Sequence, residues 1–107
     1  MSEQWVQLAP LADLPEGTVR RFRIDFRSGW VVNMSGRLKA YFDLCTHAGG
    51  SLKKEGPQFR CLRHGATFAI SSGQPTSGPA IDCDPLQTVE LKEENGIIYF
   101  KRVLSDD

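Results

Sequence analysis

The sequence is short of the residues that would staple or anchor it. Three cysteines, Cys45, Cys61 and Cys83, stand among 107 residues, an odd number and a poor basis for a disulfide framework. There are only two histidines, His47 and His64. No apolar run approaches the roughly 20 residues of a membrane helix. The first ten residues, MSEQWVQLAP, lack the basic-then-apolar pattern of a secretory signal. A surplus of one charge is missing too: 13 basic residues balance 13 acidic ones, which argues against a general nucleic-acid binder. These absences predict a cytoplasmic chain with neither a membrane nor a nucleic acid as partner.

What is present reads as short strands. The length fits one domain, residues 1–107, expected as a monomer. Phe22, Ile24 and Phe26 alternate with charged residues over Arg21–Arg27, the pattern of a half-buried strand. Ser28-Gly29 predicts a turn, Trp30–Met34 a second strand, Ser35-Gly36 a second turn and Leu38–Phe42 a third strand. Leu86–Lys92 and Ile97–Phe100 predict a hairpin about Asn95-Gly96, a strong turn signal. No segment has a helical period. Residues 45–80 hold six of the ten glycines and three of the six prolines. That composition favours loops, and a loop region of this length calls for something bound to it. The predicted class is all-β: a small antiparallel sandwich or barrel with a loop-rich subdomain at about 45–80.

The chemistry sits in that subdomain. Cys45-Thr46-His47 and Cys61-Leu62-Arg63-His64 are separated by 13 residues, Ala48 to Arg60. Thiolate sulfur and imidazole nitrogen bind zinc, copper and clustered iron. Gly49, Gly50 and Gly65 permit tight loops whose amides can face sulfur, offsetting its negative charge. Three readings follow: two ordinary Cys/His pairs in loops, a structural zinc site, or a two-iron cluster. Zinc fits less well, because its common finger arrangement separates the cysteine pair from the histidine pair and sets a helix beneath the latter. Here each pair is mixed. A two-iron cluster accommodates mixed pairs, with both cysteines on one iron and both histidines on the other.

CTHAGGSL and CLRHGATFAISSGQPTSGPA resemble the two cluster-binding loops of Rieske proteins, in particular the small ferredoxins of bacterial ring-hydroxylating oxygenases. Gly65, Phe68, Gly73 and Pro79 follow at the spacing of the second loop and the covering proline loop. The resemblance spans nearly the whole chain. It implies one [2Fe–2S] cluster, with Cys45 and Cys61 on the inner iron and His47 and His64 on the outer one. It also implies a diffusible carrier of single electrons, taking them from a flavin-dependent NAD(P)H reductase and giving them to a terminal oxygenase. Family members usually have a few more residues between the two pairs. The missing length is assigned to a trimmed hairpin around Lys53–Pro57.

High-potential Rieske proteins add a loop-to-loop disulfide and two hydroxyl donors. By the resemblance those positions are Gly50 and Arg63, then Ala66 and Phe68, none of which supplies the feature. Fewer hydrogen bonds to sulfur lower the potential, so the low-potential class is expected. Cys83, between Asp82 and Asp84, lies outside both motifs and is read as a small buried side chain or a spare thiol. Trp5 and Trp30 are expected in the core. Lys53, Lys54, Arg60 and Arg63 read either as a basic rim that meets an acidic partner or as an ordinary solvated surface.

The chain has no room for a flavin, nicotinamide or mononuclear iron domain. It also shows no Ser/His/Asp or paired-carboxylate arrangement, so no catalytic site of its own is expected. Two alternatives stay open: a small subunit of an assimilatory nitrite reductase, or a zinc-stabilised interaction module without redox chemistry.

Overall fold

The structure is a computed structural model, which describes residues 3–24, 27–44, 51–62, 65–77 and 85–103. Ten strands run in order: β1 Glu3–Pro10, β2 Val19–Ile24, β3 Arg27–Met34, β4 Arg37–Phe42, β5 Leu52–Glu55, β6 Gln58–Cys61, β7 Thr67–Ala69, β8 Pro75–Ser77, β9 Leu91–Glu94 and β10 Ile97–Val103. The helical content among the described residues is one 3-10 turn, Leu11–Asp13. The strands form three antiparallel sheets, ordered β1-β10-β9, β2-β3-β4 and β5-β6-β7-β8.

The β2-β3-β4 meander is the shared wall. Side chains alternate across a strand, and here both faces are used. Trp30 and Val32 of β3, with Tyr41 of β4, pack with Leu52, Phe59, Cys61, Phe68 and Ile70 of the four-stranded sheet and its turns. Val31 and Ala40 face the other way, toward Ile98 and Phe100 of β10. Burial on both faces explains why Trp30-Val31-Val32 is a continuous apolar run rather than an alternating one. Phe59 sits at the centre of the first cluster, 0% exposed, with ring centroids 5.0 Å from Trp30 and 6.2 Å from Tyr41. Burying such a ring stabilises the fold by about 1.5–3 kcal/mol. Trp5, by contrast, is only half-buried, with Lys92 Nζ 4.6 Å from its ring.

Two predicted turns form where expected. Ser35 and Gly36 both take positive φ, at 57° and 79°, as do Asn95 and Gly96, at 54° and 80°, the requirement of a type I′ hairpin. A hairpin also stands where the trimmed one was expected. β5 and β6 are joined by Gly56-Pro57 alone, with Glu55 opposite Gln58, and Gly56 has φ 59°, as the first centre of a II′ turn demands.

Three expectations change. No turn forms at Ser28-Gly29, because β3 runs through them with Gly29 opposite Phe22. A Cβ at Gly29 would lie 2.9 Å from Ile24 Cδ1 and 3.0 Å from the Phe22 ring; this glycine marks close packing in a strand, not a reversal. Phe26 lies outside the described residues. The strand predicted over Leu86–Lys92 begins only at Leu91. The residues before it run along β4, bonding Phe42 N to Gln87 O at 2.9 Å and Val89 N to Ala40 O at 2.8 Å. Finally, the glycine-rich middle, expected as loops apart from the hairpin at Lys53–Pro57, also carries the short strands β7 and β8.

Gly73 holds the far end of that middle segment. Its N–H donates to Ala69 O at 2.7 Å, and its carbonyl accepts from Leu86 N at 2.9 Å. Its φ is 76°, and an added Cβ would meet Tyr41 Cε1 at 2.8 Å. Tyr41 is fixed there: its hydroxyl donates to Ile70 O at 3.0 Å, and burial pushes its pKa up to about 12, so the donor proton stays in place at neutral pH. Gly73→Ala combines left-handed strain with overpacking and should cost about 2–4 kcal/mol. Denaturant unfolding of the holoprotein checks this. A loss under about 1 kcal/mol would mean that the Tyr41 ring yields easily.

Candidate metal centre

Of the sequence-predicted ligands, Cys61 lies within the described structure. Cys45, His47 and His64 lie outside the described residues, as do Cys83, Gly50, Arg63 and Pro79. Cys61 closes β6, opposite Leu52 of β5. Phe59 and Cys61 are buried while Gln58 and Arg60 are half-exposed, so strand alternation turns the thiol inward. It is 1% exposed and sits among Leu52, Phe59, Ala66 and Phe68.

The backbone around Cys61 turns tightly. Gly65 N donates to Cys61 O at 3.0 Å, and Cys61 N donates to Ala66 O at 2.8 Å. Gly65 takes φ 75°, which a glycine adopts without steric cost. Its carbonyl accepts from Arg60 Nη1 at 3.3 Å, while Arg60 Nε pairs with Glu55. Arg60 therefore braces the turn and is not a loose member of a basic rim. Lys53 and Lys54 are exposed, which fits a rim and an ordinary solvated surface alike.

The flanks of the two motif segments are tied to one another. The first segment leaves after Asp43 and Leu44 and returns at Ser51 and Leu52; the second leaves after Cys61 and Leu62 and returns at Gly65. Leu62 N donates to Ser51 O at 3.0 Å, joining the two directly. Asp43, with its side chain 6% exposed, ties the ends of the first: its Oδ1 accepts from Leu52 N at 2.8 Å and from Trp30 Nε1 at 3.2 Å. Arg21 completes the group, with Nη2 3.2 Å from Asp43 Oδ2 and 3.0 Å from Leu52 O. Its guanidinium stacks 5.0 Å over the Trp30 ring. Sequence reasoning missed Asp43 and Arg21. Arg21 read as a wet-face charge, Asp43 carried no signal, and nothing local marks a pairing between residues so far apart.

A buried sulfur on an apolar wall, reached by a glycine turn, suits a thiolate ligand kept from water. With one more cysteine and two histidines in the motifs, the donor set fits a two-iron cluster. A family model described as the Rieske [2Fe–2S] domain matches residues 4–94, a span that includes both motifs. The chain belongs to the Rieske [2Fe–2S] domain family. Its cofactor is accordingly a [2Fe–2S] cluster.

Among Rieske relatives, Ferredoxin CarAc of Metapseudomonas resinovorans is 29% identical, over 92% of this chain and 94% of its own length. The ferredoxin component of biphenyl 2,3-dioxygenase from Rhodococcus jostii is 33% identical, over 77% of this chain and 78% of its own length. A chain in the solved complex of reduced oxygenase and oxidized ferredoxin in carbazole 1,9a-dioxygenase superposes with a TM-score of 0.69 at 27% identity, covering 94% of this chain and 97% of that one. The Rieske fold and the expected all-β class agree.

Proposed function

We propose that this chain is a one-electron carrier, a ferredoxin component that delivers electrons to a terminal oxygenase. The family match across both motifs carries the reading. The relatives' names support it, since they are ferredoxin components of dioxygenase systems rather than catalytic subunits. Cys45 and Cys61 hold one iron, and His47 and His64 the other. When bound, the cluster supplies a one-electron couple. The residues of the chain supply its setting. Cys61 is held inward by strand alternation, its turn is closed by Gly65 and Arg60, and Phe59, Ala66 and Phe68 exclude water behind it.

The electron donor is a flavin-dependent NAD(P)H reductase, which fits the multicomponent systems that the relatives' names describe. The acceptor docks at the motif end. There Leu62, next to Cys61, is 59% exposed, the one large apolar side chain left in water among the described residues. No helix among the described residues is long and apolar enough to cross a membrane, which suits a carrier working as a monomer in the cytoplasm. Residues 1–107 act as a single domain, with 45–80 as its cluster-binding part. Metal analysis of anaerobically purified protein should give about two irons and two acid-labile sulfides per chain. One zinc without iron would overturn the proposal in favour of a structural zinc module.

A further inference from the structure

Asp43 presents an unusual arrangement for a residue at a strand end. Its carboxylate is almost fully buried, yet both donors to Oδ1, Leu52 N and Trp30 Nε1, could be satisfied by a neutral amide. The charge is surplus to those bonds. It is matched by Arg21, whose side chain is half in water at 52% exposure but is steered onto Asp43, Leu52 O and the Trp30 face together. Arg21 lies opposite Trp30 in the β2-β3 pairing. Arg21 of β2, Trp30 of β3 and Leu52 of β5 all bond Asp43, just past the end of β4. Leu52 is in turn the register partner of Cys61.

We propose that Asp43 and Arg21 form a charged clasp that closes the base of the first ligand segment and keeps the charge beside the centre balanced, so that neither half alone shifts the reduction potential. The inference rests on the ligand set proposed above. Asp43 is a positioning residue: it acts through the backbone of Leu52, fixing where the chain re-enters β5 beside Cys61. A neutral residue could tie the same backbone. The ion pair adds a balanced charge at the site, and each half biases the electron in a known direction. An anion beside a cluster opposes the arrival of an electron, and a cation favours it. With both present the two effects offset.

The clasp therefore predicts opposite shifts from its two halves. Asp43→Asn keeps an acceptor for Leu52 N and Trp30 Nε1 but leaves the Arg21 cation uncompensated, so the potential rises. Arg21→Gln leaves the Asp43 anion uncompensated, so the potential falls. Each change should alter the reduced-to-oxidised ratio at fixed poise about tenfold, which is about 59 mV for a one-electron couple. The double variant should return close to wild type. Asp43→Ala, which also removes the acceptor, should release iron to a chelator about 10–100-fold faster than wild type, whereas Asp43→Asn should hold it within a few-fold.

Protein-film voltammetry and chelator-driven bleaching of the purified holoproteins read both effects. A merely structural role would lower stability in both single variants without moving the potentials apart. Potentials that stay put, or move in the same direction, overturn the clasp while leaving the ligand assignment standing. Wild-type protein without an iron–sulfur centre overturns both. Should Asp43→Ala fail to fold, the opposite shifts of Asp43→Asn and Arg21→Gln still decide.

Discussion

His64→Ala protein should be purified without the native visible absorption of a two-iron cluster, and its iron should fall from about two per chain toward none. Two imidazoles complete the ligation of one iron. A methyl group cannot donate to metal, and no spare histidine exists to replace it, since His47 and His64 are the only two in the chain. Cys61→Ala should bleach the protein as completely, for a second reason that the structure supplies. Cys61 is 1% exposed among Leu52, Phe59, Ala66 and Phe68, so alanine there keeps the apolar wall and removes only the sulfur. The apoprotein of that variant should retain its β-sheet circular dichroism while melting at a lower temperature, because metal binding contributes to folding free energy. Cys83→Ala should keep full colour. A bleached Cys83→Ala protein would show that the ligand assignment is wrong.

A reduction potential near about −150 mV is the second large expectation, set against about +300 mV at the top of the Rieske range. For a one-electron couple about 59 mV is a tenfold change, so the gap between classes is on the order of 10 kcal/mol. The structure strengthens one part of the argument. Ala66 and Phe68 are each 0% exposed and share the cluster of buried side chains that contains Cys61. Ala66 O also accepts from Cys61 N at 2.8 Å. A hydroxyl added at either position enters a dry site and must find an acceptor, because an unpaired one costs about 1–3 kcal/mol. By the family resemblance, sulfur of the bound cluster would be that acceptor.

A hydrogen bond to a charged group is worth about 1.5–3 kcal/mol, or about 60–130 mV. Ala66→Ser and Phe68→Tyr should each raise the potential by up to that much, and no more, because the hydroxyl must first fit into a packed core. Voltammetry at neutral pH measures both. A wild-type value above about +100 mV would contradict the low-potential class. An unmoved potential in both variants would mean that these side chains do not reach the sulfur atoms.

The parts of the molecule written in local chemistry were legible in the sequence. Ser35-Gly36 and Asn95-Gly96 announce their turns because positive φ demands such residues. The motifs announce a metal because thiol and imidazole are scarce here and occur paired. Gly29 misled because glycine has two uses, reversal and close approach, and only the opposing Phe22 ring distinguishes them. The hairpin of β5 and β6 was placed by the family resemblance, but β7 and β8 were hidden by the glycine, proline and serine around them, which dominate composition when strands have only three residues. Gln87–Val89 were read as part of one long strand, but they bond along β4, and only from Glu90 onward does the chain bond β10. Asp43 and Arg21 were illegible because their meeting depends on register: Arg21 opposite Trp30, and Trp30 opposite Tyr41, two residues before Asp43. No window along the chain contains that information.

Phe42 and Gln87 are joined by a backbone hydrogen bond of 2.9 Å, although 44 residues lie between them. Topologically, then, everything from Asp43 to Leu86 is a graft set into a six-stranded frame at a single seam. Such a graft can be lengthened or clipped at its tip without disturbing the seam, and the Gly56-Pro57 reversal holds that tip to two residues. It cannot be lifted out. Excision would strip the cover from Trp30, Val32 and Tyr41, leaving the frame with a bare, sticky wall. Host and graft are thus free to vary in length but bound to evolve together in the residues that meet across β3 and β4.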